Sequence, residues 1–226
     1  MPCLKWRCVM GSRLRGNDSG GIDSLTGRVN LMKKTVHYFH SLSSPWAYLG
    51  WPKFKALIAK HDLNVIVRPT RIVPPNGGIP LLSRPLARRN YHEVELDRWR
   101  KRLNMPLVLR PKHYPTQNEF CARMVIAADQ LGWDALALSH ALLHALWSEE
   151  LDVMDAAVRV ATANNLSMDG NKLLAMQDTP DIMAAWKASE DEARERGIFG
   201  TPTWVYNDVL YWGQDRLDFL DEALSQ

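Results

Sequence analysis

The residues best suited to chemistry lie in the stretch SLSSPWAYLG, where Ser44 directly precedes Pro45. An apolar strand candidate ends before Ser44 and a helical pattern begins at Pro45, so Ser44 suits the N-cap of that helix and Pro45 its first position. The unpaired N–H groups and partial positive charge at the start of a helix favour an anion such as a thiolate. A hydroxyl at that cap can donate a hydrogen bond to the sulfur and lower the thiol pKa. The alternative is that Ser44 only caps the helix.

The sulfur for such chemistry would have to come from outside the protein. The three cysteines, Cys3, Cys8 and Cys121, are remote from Ser44 in sequence and form neither a CxxC pair nor a zinc-binding spacing. Cys121 lies in a helical pattern and is predicted to be a small core residue. This cysteine usage favours a reducing cytoplasm, and no apolar run reaches the ~18 residues of a membrane span. A serine protease is not indicated, because Ser44 lacks a G-x-S-x-G context.

Charge is distributed unevenly along the chain. The 226 residues have a net charge of +3, which does not make nucleic acid the default partner. Residues 68–113 contain 11 Lys and Arg against 3 Asp and Glu, whereas residues 129–195 contain 4 against 13. Two solvated faces of opposite sign would explain this pattern. A basic wall for an anionic small ligand is the alternative.

Hydrophobic periodicity predicts a β-α-β unit, then a helical stretch, then a β-β-α unit. Strands are predicted at 34–42 and 63–73, on either side of a helix over 45–61. Two alternating runs around Asn207-Asp208 predict a hairpin, and an amphipathic helix closes the chain. The helices between these two units are predicted at 90–103, 117–131, 134–148, 150–164, 170–177 and 180–196.

Three motifs, taken in order, carry a family resemblance: SSPWAYLG, GIFGTPTWV and LYWGQDRLDFL. Over roughly residues 34–226 the chain resembles the 2-hydroxychromene-2-carboxylate isomerase and kappa-class glutathione transferase family. The resemblance implies an α/β fold, a thioredoxin-like fold with a helical insertion domain, similar to the DsbA-like bacterial disulfide oxidases. The order of predicted elements agrees with this fold class.

The chain is accordingly divided into four segments. Residues 1–33 are predicted to be a disordered leader, because Gly, Ser, Asn and Asp recur there without a sustained period. Residues 34–75 and 197–226 are predicted to form the two parts of the thioredoxin-like domain. Residues 76–196 are predicted to form the helical insertion between them.

The resemblance places the reactive position at Ser44. The redox relatives carry C-P-x-C where this chain has Ser44, Pro45, Trp46 and Ala47, so thiol–disulfide exchange by the protein itself is excluded at these positions. The resemblance implies that glutathione supplies the sulfur and that Ser44 is the catalytic residue. Ser43 is the neighbouring hydroxyl, but the residue directly before the proline is the one that matches the family.

The other two motifs imply positions that bind glutathione. Thr201-Pro202 resembles the family's cis-proline, and the backbone of Thr201 would hold the cysteinyl unit as a strand edge holds a peptide. Gln214 and Asp215 open the last helix, where main-chain N–H groups would hold the γ-glutamyl carboxylate. Arg216 is either a ligand residue or a partner in a structural ion pair.

Other implied positions depart from the family pattern. Ser83 and Arg84 occupy the place of the family's N-K-P segment, so Arg84 keeps the positive charge while Ser83 replaces the amide. Ser41 stands where many members carry Asp. Tyr91 and Trp99 lie on the first inserted helix, and core packing is favoured for both over contact with an aromatic substrate.

The function implied is that of a glutathione-dependent isomerase of the 2-hydroxychromene-2-carboxylate type, acting on an aromatic 2-oxo acid as a homodimer. Basic residues within 84–113 would hold the substrate carboxylate. A kappa-like glutathione S-transferase is the first alternative, with the same glutathione site and a product that retains the glutathionyl group. A cysteine-free thioredoxin-fold binding protein without catalysis is the second. No metal is implied.

Overall fold

The computed structural model describes residues 33–226, which form a four-stranded sheet with helices around it. The strands are β1 (Thr35–His40), β2 (Asn64–Pro69), β3 (Thr203–Tyr206) and β4 (Val209–Trp212), in the order β2-β1-β3-β4. β1 and β2 are parallel, whereas β3 is antiparallel to both β1 and β4. Apart from Lys33, the predicted disordered leader lies outside the described residues.

Eight α-helices are present in the described part of the chain. Six of them lie between β2 and β3, so the predicted α/β fold with a helical insertion is confirmed. The helices are α1 (Pro45–His61), α2 (Leu86–Leu103), α3 (Glu119–Gln130), α4 (Ala135–Trp147), α5 (Ala156–Asn164), α6 (Gly170–Met176), α7 (Pro180–Glu195) and α8 (Leu217–Leu224). Among residues 33–226, no helix combines the length and apolar character needed to cross a membrane.

The two units that frame the insertion follow local rules of the sequence. α1 begins where the Ser44 side chain accepts a hydrogen bond from the N–H of Ala47, and ends at Asp62 in the left-handed conformation with φ 47°. The hairpin between β3 and β4 turns at Asn207 and Asp208, with φ of 48° and 62°. Positive φ at both turn residues is what a two-residue hairpin needs, and Asn and Asp tolerate it. Both predictions are confirmed.

Three hydrophobic clusters pack the described residues, the smallest formed by Phe39, Ala193, Ile198 and Val205 against α7, and the two larger ones are as follows. One lies on a single face of the sheet, where α1 and α8 pack together around Tyr38, Phe54 and Trp204. The other lies within the helical insertion and contains Cys121, which is fully buried as predicted. Burial raises the pKa of the Cys121 thiol to about 12, so this cysteine is held as an unreactive thiol.

Close contact between α1 and the turn before α8 depends on Gly50. A Cβ at this position would lie 2.9 Å from Cβ of Gln214 and 3.4 Å from a ring carbon of Trp204. We expect Gly50→Ala to lower the free energy of unfolding by about 1–3 kcal/mol, because the neighbouring backbone must shift. In an exposed helix the same change would stabilise by about 0.5–1 kcal/mol. Urea unfolding monitored by circular dichroism measures the difference.

The control for Gly50→Ala is Ala56→Gly, which lies on the exposed side of α1. This reverse change reports helix propensity alone and should cost about 0.5–1 kcal/mol. A Gly50→Ala protein as stable as the wild type would show that the contact does not limit packing.

Candidate active site

A cavity of about 990 Å³ opens at the end of the sheet where α1 begins. That volume lies at the upper end of the ~300–1,000 Å³ usual for ligand pockets. Its wall is built by the loop after β1 with the start of α1, the segment after β2, α2, the segment before α3, the loop before β3 and the turn before α8. Distant parts of the chain therefore meet at the N-terminus of α1.

Ser44 stands in the cavity wall at the junction of β1 and α1. Its side chain is largely buried; Oγ accepts from the N–H of Ala47 at 3.2 Å and donates to the carbonyl of Thr201 at 3.3 Å. The Thr201–Pro202 peptide bond is cis. The hydroxyl that caps the helix thus also faces the loop implied to bind a peptide, so capping and catalysis are compatible roles for this residue.

The start of the last helical segment forms another part of the wall. Gln214 and Asp215 line the cavity in a 3₁₀ turn, Gln214–Arg216, directly before α8. The carbonyl of Pro202 accepts from the N–H of Gly213 at 2.9 Å. Pro202 itself does not line the cavity, but this bond ties its loop to the turn. The first N–H groups of a helix have no partner within it, so this turn offers donors to an anion.

Arg216 and Asp215 form an ion pair with each other. Arg216 Nη1 lies 3.0 Å from Asp215 Oδ2, and both side chains are about half exposed at the edge of the cavity. The structural ion pair considered for Arg216 is therefore present. Since the pair is open to solvent, it contributes little to stability.

Of the two residues in the place of the N-K-P segment, only Arg84 lines the cavity. Its Nε donates to the carbonyl of Ile79 at 3.0 Å. Partial burial, and then the charge of Arg88, lowers the pKa of Arg84. Ser83 is exposed on the 3₁₀ turn Leu81–Ser83 and does not reach the cavity wall.

Sequence reasoning missed a network of hydroxyls and an amide beside Ser44. Asn118 Nδ2 donates to Ser41 Oγ at 2.8 Å and to the carbonyl of Thr70 at 3.2 Å. Ser41 Oγ lies 2.9 Å from Ser43 Oγ. Asn118 stands 77 residues from Ser41 in sequence, so no local pattern could have predicted this contact.

The wall formed by α2 and the residues just before it carries two arginines and several aromatic rings, and its carboxylate, Glu95, is paired with Arg98. Arg84 and Arg88 line the cavity, and among residues 33–226 neither has a carboxylate within ion-pair distance. Arg71, which also lines the cavity, is instead paired with Glu119 and Glu190. Positive charge without an acidic partner makes this side of the cavity suited to an anion.

Aromatic rings complete the same wall. Trp46 and His92 pack edge to face, with ring centroids 5.4 Å apart. Burial, with the nearby charge of Arg84, lowers the pKa of His92 to about 4, so this ring is neutral near pH 7. Tyr91 is 58% exposed and lines the cavity, so the prediction that it packs in the core is wrong. Trp99 both packs against the helical core and lines the cavity.

Comparisons with known proteins agree with this architecture. The family model described as DSBA-like thioredoxin domain matches residues 35–225. A 2-hydroxychromene-2-carboxylate isomerase from Sphingobium xenophagum is 25% identical over 198 residues, which cover 85% of this chain and 99% of that protein. Another from Pseudomonas putida is 24% identical over 197 residues, covering 84% of this chain and 94% of that one. The resemblance to these isomerases is confirmed.

Solved structures show the same fold. A structure of 2-hydroxychromene-2-carboxylate isomerase superimposes with a TM-score of 0.72 at 21% identity, covering 84% of this chain and 94% of that one. The cytosolic disulfide reductase DsbM from Pseudomonas aeruginosa with GSH superimposes with a TM-score of 0.63 at 19% identity, covering 85% and 100%. The family model spans both parts of the sheet and the helices between them. The chain belongs to the DSBA-like thioredoxin domain family.

Proposed function

We propose that this protein is a glutathione-dependent isomerase of the 2-hydroxychromene-2-carboxylate type. The observation that carries the proposal is the position of Ser44, whose hydroxyl lies at the N-terminus of α1 and 3.3 Å from the carbonyl that precedes the cis-proline. Two relatives that cover most of the chain are isomerases of this name. A hydroxyl in place of a cysteine at a helix N-terminus supports binding of an external thiolate over thiol–disulfide exchange by the protein.

The residues present fit glutathione. The carbonyl of Thr201 faces the start of α1, where it can pair with the backbone of an extended tripeptide. The turn that begins at Gln214 presents N–H groups to a carboxylate. A protein of the same fold, DsbM, has been solved with GSH. The cavity of about 990 Å³ has room for a tripeptide and a second molecule.

The chain's own groups hold a thiolate rather than provide one. The N-terminus of α1 favours the anion through its partial positive charge, and the Ser44 hydroxyl donates a hydrogen bond to it. Bound glutathione supplies a thiolate that adds reversibly to an unsaturated aromatic 2-oxo acid, turning a C=C bond into a rotatable single bond until elimination returns the thiolate. Ser44 keeps the thiolate fraction high between turnovers.

The second molecule would lie against the wall formed by α2. Arg84 and Arg88 would bind its carboxylate, since neither has an acidic partner in the described residues. The rings of Trp46, Tyr91 and Trp99 would pack on its aromatic part. A substrate with one carboxylate and one aromatic ring matches the two properties of this wall.

The proposal includes a cytoplasmic location and a homodimer. A site that depends on a free thiol needs a reducing compartment. Sedimentation equilibrium on the purified protein measures the oligomeric state, and a monomer would contradict the dimer.

The experiment that tests the proposed function combines binding with product analysis. Isothermal titration calorimetry measures glutathione affinity, and mass spectrometry identifies the products formed from a chromene carboxylate. Binding with products of unchanged mass supports the isomerase. Products that gain the mass of glutathione indicate a kappa-like transferase instead. Absence of glutathione binding leaves a thioredoxin-fold binding protein without cysteines at the start of α1 and contradicts both enzymes.

Charge reversal at Arg88 tests the substrate part of the site. We expect Arg88→Glu to raise KM for the carboxylate substrate by about tenfold or more, because a charge-assisted hydrogen bond is replaced by repulsion. We expect kcat to change little, since Arg88 holds a part of the substrate that does not react. Steady-state kinetics at saturating glutathione measure both values.

Lys55→Glu is the matched control for Arg88→Glu. Lys55 is exposed on α1, has no ion pair in the described part of the chain and does not line the cavity. Its reversal changes the net charge by the same amount and should leave KM unchanged. If both variants raise KM equally, the effect comes from net charge and Arg88 has no specific role.

A further inference from the structure

Three side chains next to Ser44 form a chain of hydrogen bonds with a fixed direction. Asn118 Nδ2 lies 2.8 Å from Ser41 Oγ and 3.2 Å from the carbonyl oxygen of Thr70. A carbonyl oxygen can only accept, so the Asn118 atom at this position is the amide nitrogen and not the amide oxygen. Asn118 therefore donates to Ser41.

Among residues 33–226, the Ser41 hydroxyl has a single acceptor for its proton. Ser41 Oγ accepts from Asn118 and also from the backbone N–H of Ser43, at 3.3 Å. A hydroxyl oxygen has two lone pairs and one proton. With both lone pairs in use, the Ser41 hydroxyl donates to Ser43 Oγ across 2.9 Å. The proton of Ser43 has no acceptor in the described part of the chain, and Ser43 lines the cavity.

The proton of Ser44 is engaged in a different way. Ser44 Oγ accepts from the N–H of Ala47 and donates to the carbonyl of Thr201. To donate to a sulfur, this hydroxyl must turn away from Thr201. The Ser43 hydroxyl needs no such exchange, because its oxygen already accepts from Ser41 and its proton is free.

We propose that Ser43 is a second hydroxyl donor to the sulfur of bound glutathione, aligned by Asn118 through Ser41. The inference rests on the proposed function, since it concerns the same thiolate. Two donors stabilise a thiolate more than one, and a hydroxyl that itself accepts a hydrogen bond is a stronger donor. Ser41 and Asn118 act as positioning residues, while Ser43 contacts the sulfur.

The test is titration of the bound thiol, followed by the ultraviolet absorbance of its thiolate between pH 5 and 10. We expect Ser43→Ala to lower the acid dissociation constant of bound glutathione about tenfold, because a hydrogen bond to a charged group is lost. Ser43→Thr keeps the hydroxyl and should titrate close to the wild type. Ser225→Ala, near the C-terminus and outside the cavity wall, is the control and should not change the titration.

The outcomes separate this inference from the proposed function. A wild-type protein that neither binds glutathione nor lowers its thiol pKa overturns both. If the wild type binds glutathione and lowers its thiol pKa, and Ser43→Ala gives the same thiol pKa, the role of Ser43 is overturned while the proposed function stands. Equal effects of Ser43→Ala and Ser43→Thr would show that packing rather than the hydroxyl matters, which also overturns the role. A loss in Ser43→Ala that Ser43→Thr restores supports it.

Discussion

Ser44→Ala is expected to lower kcat/KM for the chromene carboxylate by about 100-fold while the protein stays folded. The hydroxyl is the donor at the N-terminus of α1, and a lost hydrogen bond to a charged group decreases the thiolate fraction about 10- to 100-fold. The same donor stabilises the leaving thiolate when elimination occurs. In steady-state kinetics measured across pH, the increase of kcat/KM with rising pH should also move to higher pH.

Loss of the helix cap must be separated from loss of the donor. Ser44 Oγ accepts from the N–H of Ala47, so alanine removes an N-cap and costs about 1 kcal/mol of stability. Asp134→Ala is the matched control, because Asp134 Oδ1 accepts from the N–H of Ala137 at the start of α4 and lies outside the cavity wall. We expect a similar loss of stability from Asp134→Ala with kcat/KM unchanged.

Two results would contradict the catalytic role of Ser44. If Ser44→Ala kept wild-type kcat/KM, the hydroxyl would act only as a cap. If Asp134→Ala lost as much activity as Ser44→Ala, the loss would come from stability. Either result would leave stabilisation of the thiolate to the N-terminus of α1 and the Ser43 hydroxyl.

Those parts of the fold that depend on short-range chemistry could be predicted from the sequence. The start of α1 at Ser44-Pro45 and the hairpin turn at Asn207-Asp208 each rest on residues a few positions apart, because capping and positive φ are local properties. The cis-proline at Thr201-Pro202 came from family resemblance, since an X-Pro bond in isolation favours trans.

Helix boundaries were less predictable where two signals compete. α5 was predicted to start at 150, but it begins at Ala156, after the Asp155 side chain caps it. Glu150 has a φ of 54°, so the chain turns there instead of continuing the helix. Apolar spacing alone could not distinguish this turn from a first helical turn, because both place hydrophobic residues in the same core.

The walls of the cavity could not be predicted, since they come from separate elements. Asn118 meets Ser41 across 77 residues, and Arg88 and His92 reach the cavity only because α2 packs beside the loop after β1. Ser83 shows the converse, since its place in the family motif does not bring it to the cavity wall. Local patterns position a helix, but tertiary packing decides which of its faces lines a site.

Acidification from pH 7.5 to 5 is expected to destabilise the protein by about 2 kcal/mol for each of two buried histidines. His40 and His140 are buried at the centre of a ring stack, where His140 lies 3.9 Å from Trp51 and His40 lies 4.3 Å from Tyr38, centroid to centroid. Burial lowers the pKa of His40 to about 4. Burial, and then the nearby His40, lowers the pKa of His140 well below its ordinary value.

The sign of the change in stability depends on whether the folded or the unfolded state binds the proton more readily. Above pH 6.5 these histidines are neutral in both states, so their contribution to stability is complete. Below pH 6.5 the unfolded chain takes up protons that the folded protein does not accept until about pH 4 for His40. Stability is therefore lost as the pH falls through this range, at about 1.4 kcal/mol per pH unit and histidine. The partly buried His92, with its lowered pKa, adds to the same slope.

His140→Phe isolates one of these contributions. Both ring nitrogens of His140 are buried without a hydrogen-bond partner among residues 33–226, and phenylalanine keeps a ring against Trp51. We expect the variant to be at least as stable as the wild type at pH 7.5, because no unpaired polar atom remains buried. At pH 5 it should be more stable by about 2 kcal/mol, since no proton is taken up at this position on unfolding.

Urea unfolding at pH 7.5, 6 and 5 measures these differences, with His144→Gln as the control. His144 lies one turn further along α4 and is about half exposed, so this variant removes a histidine from the same helix without changing the buried ring stack. If His140→Phe lost stability with pH as steeply as the wild type, the pKa of His140 would be the same in the folded and unfolded states. A steeper loss in His140→Phe than in the wild type would show instead that the stack against Trp51 holds a cation over an aromatic ring, which stabilises the protein on acidification.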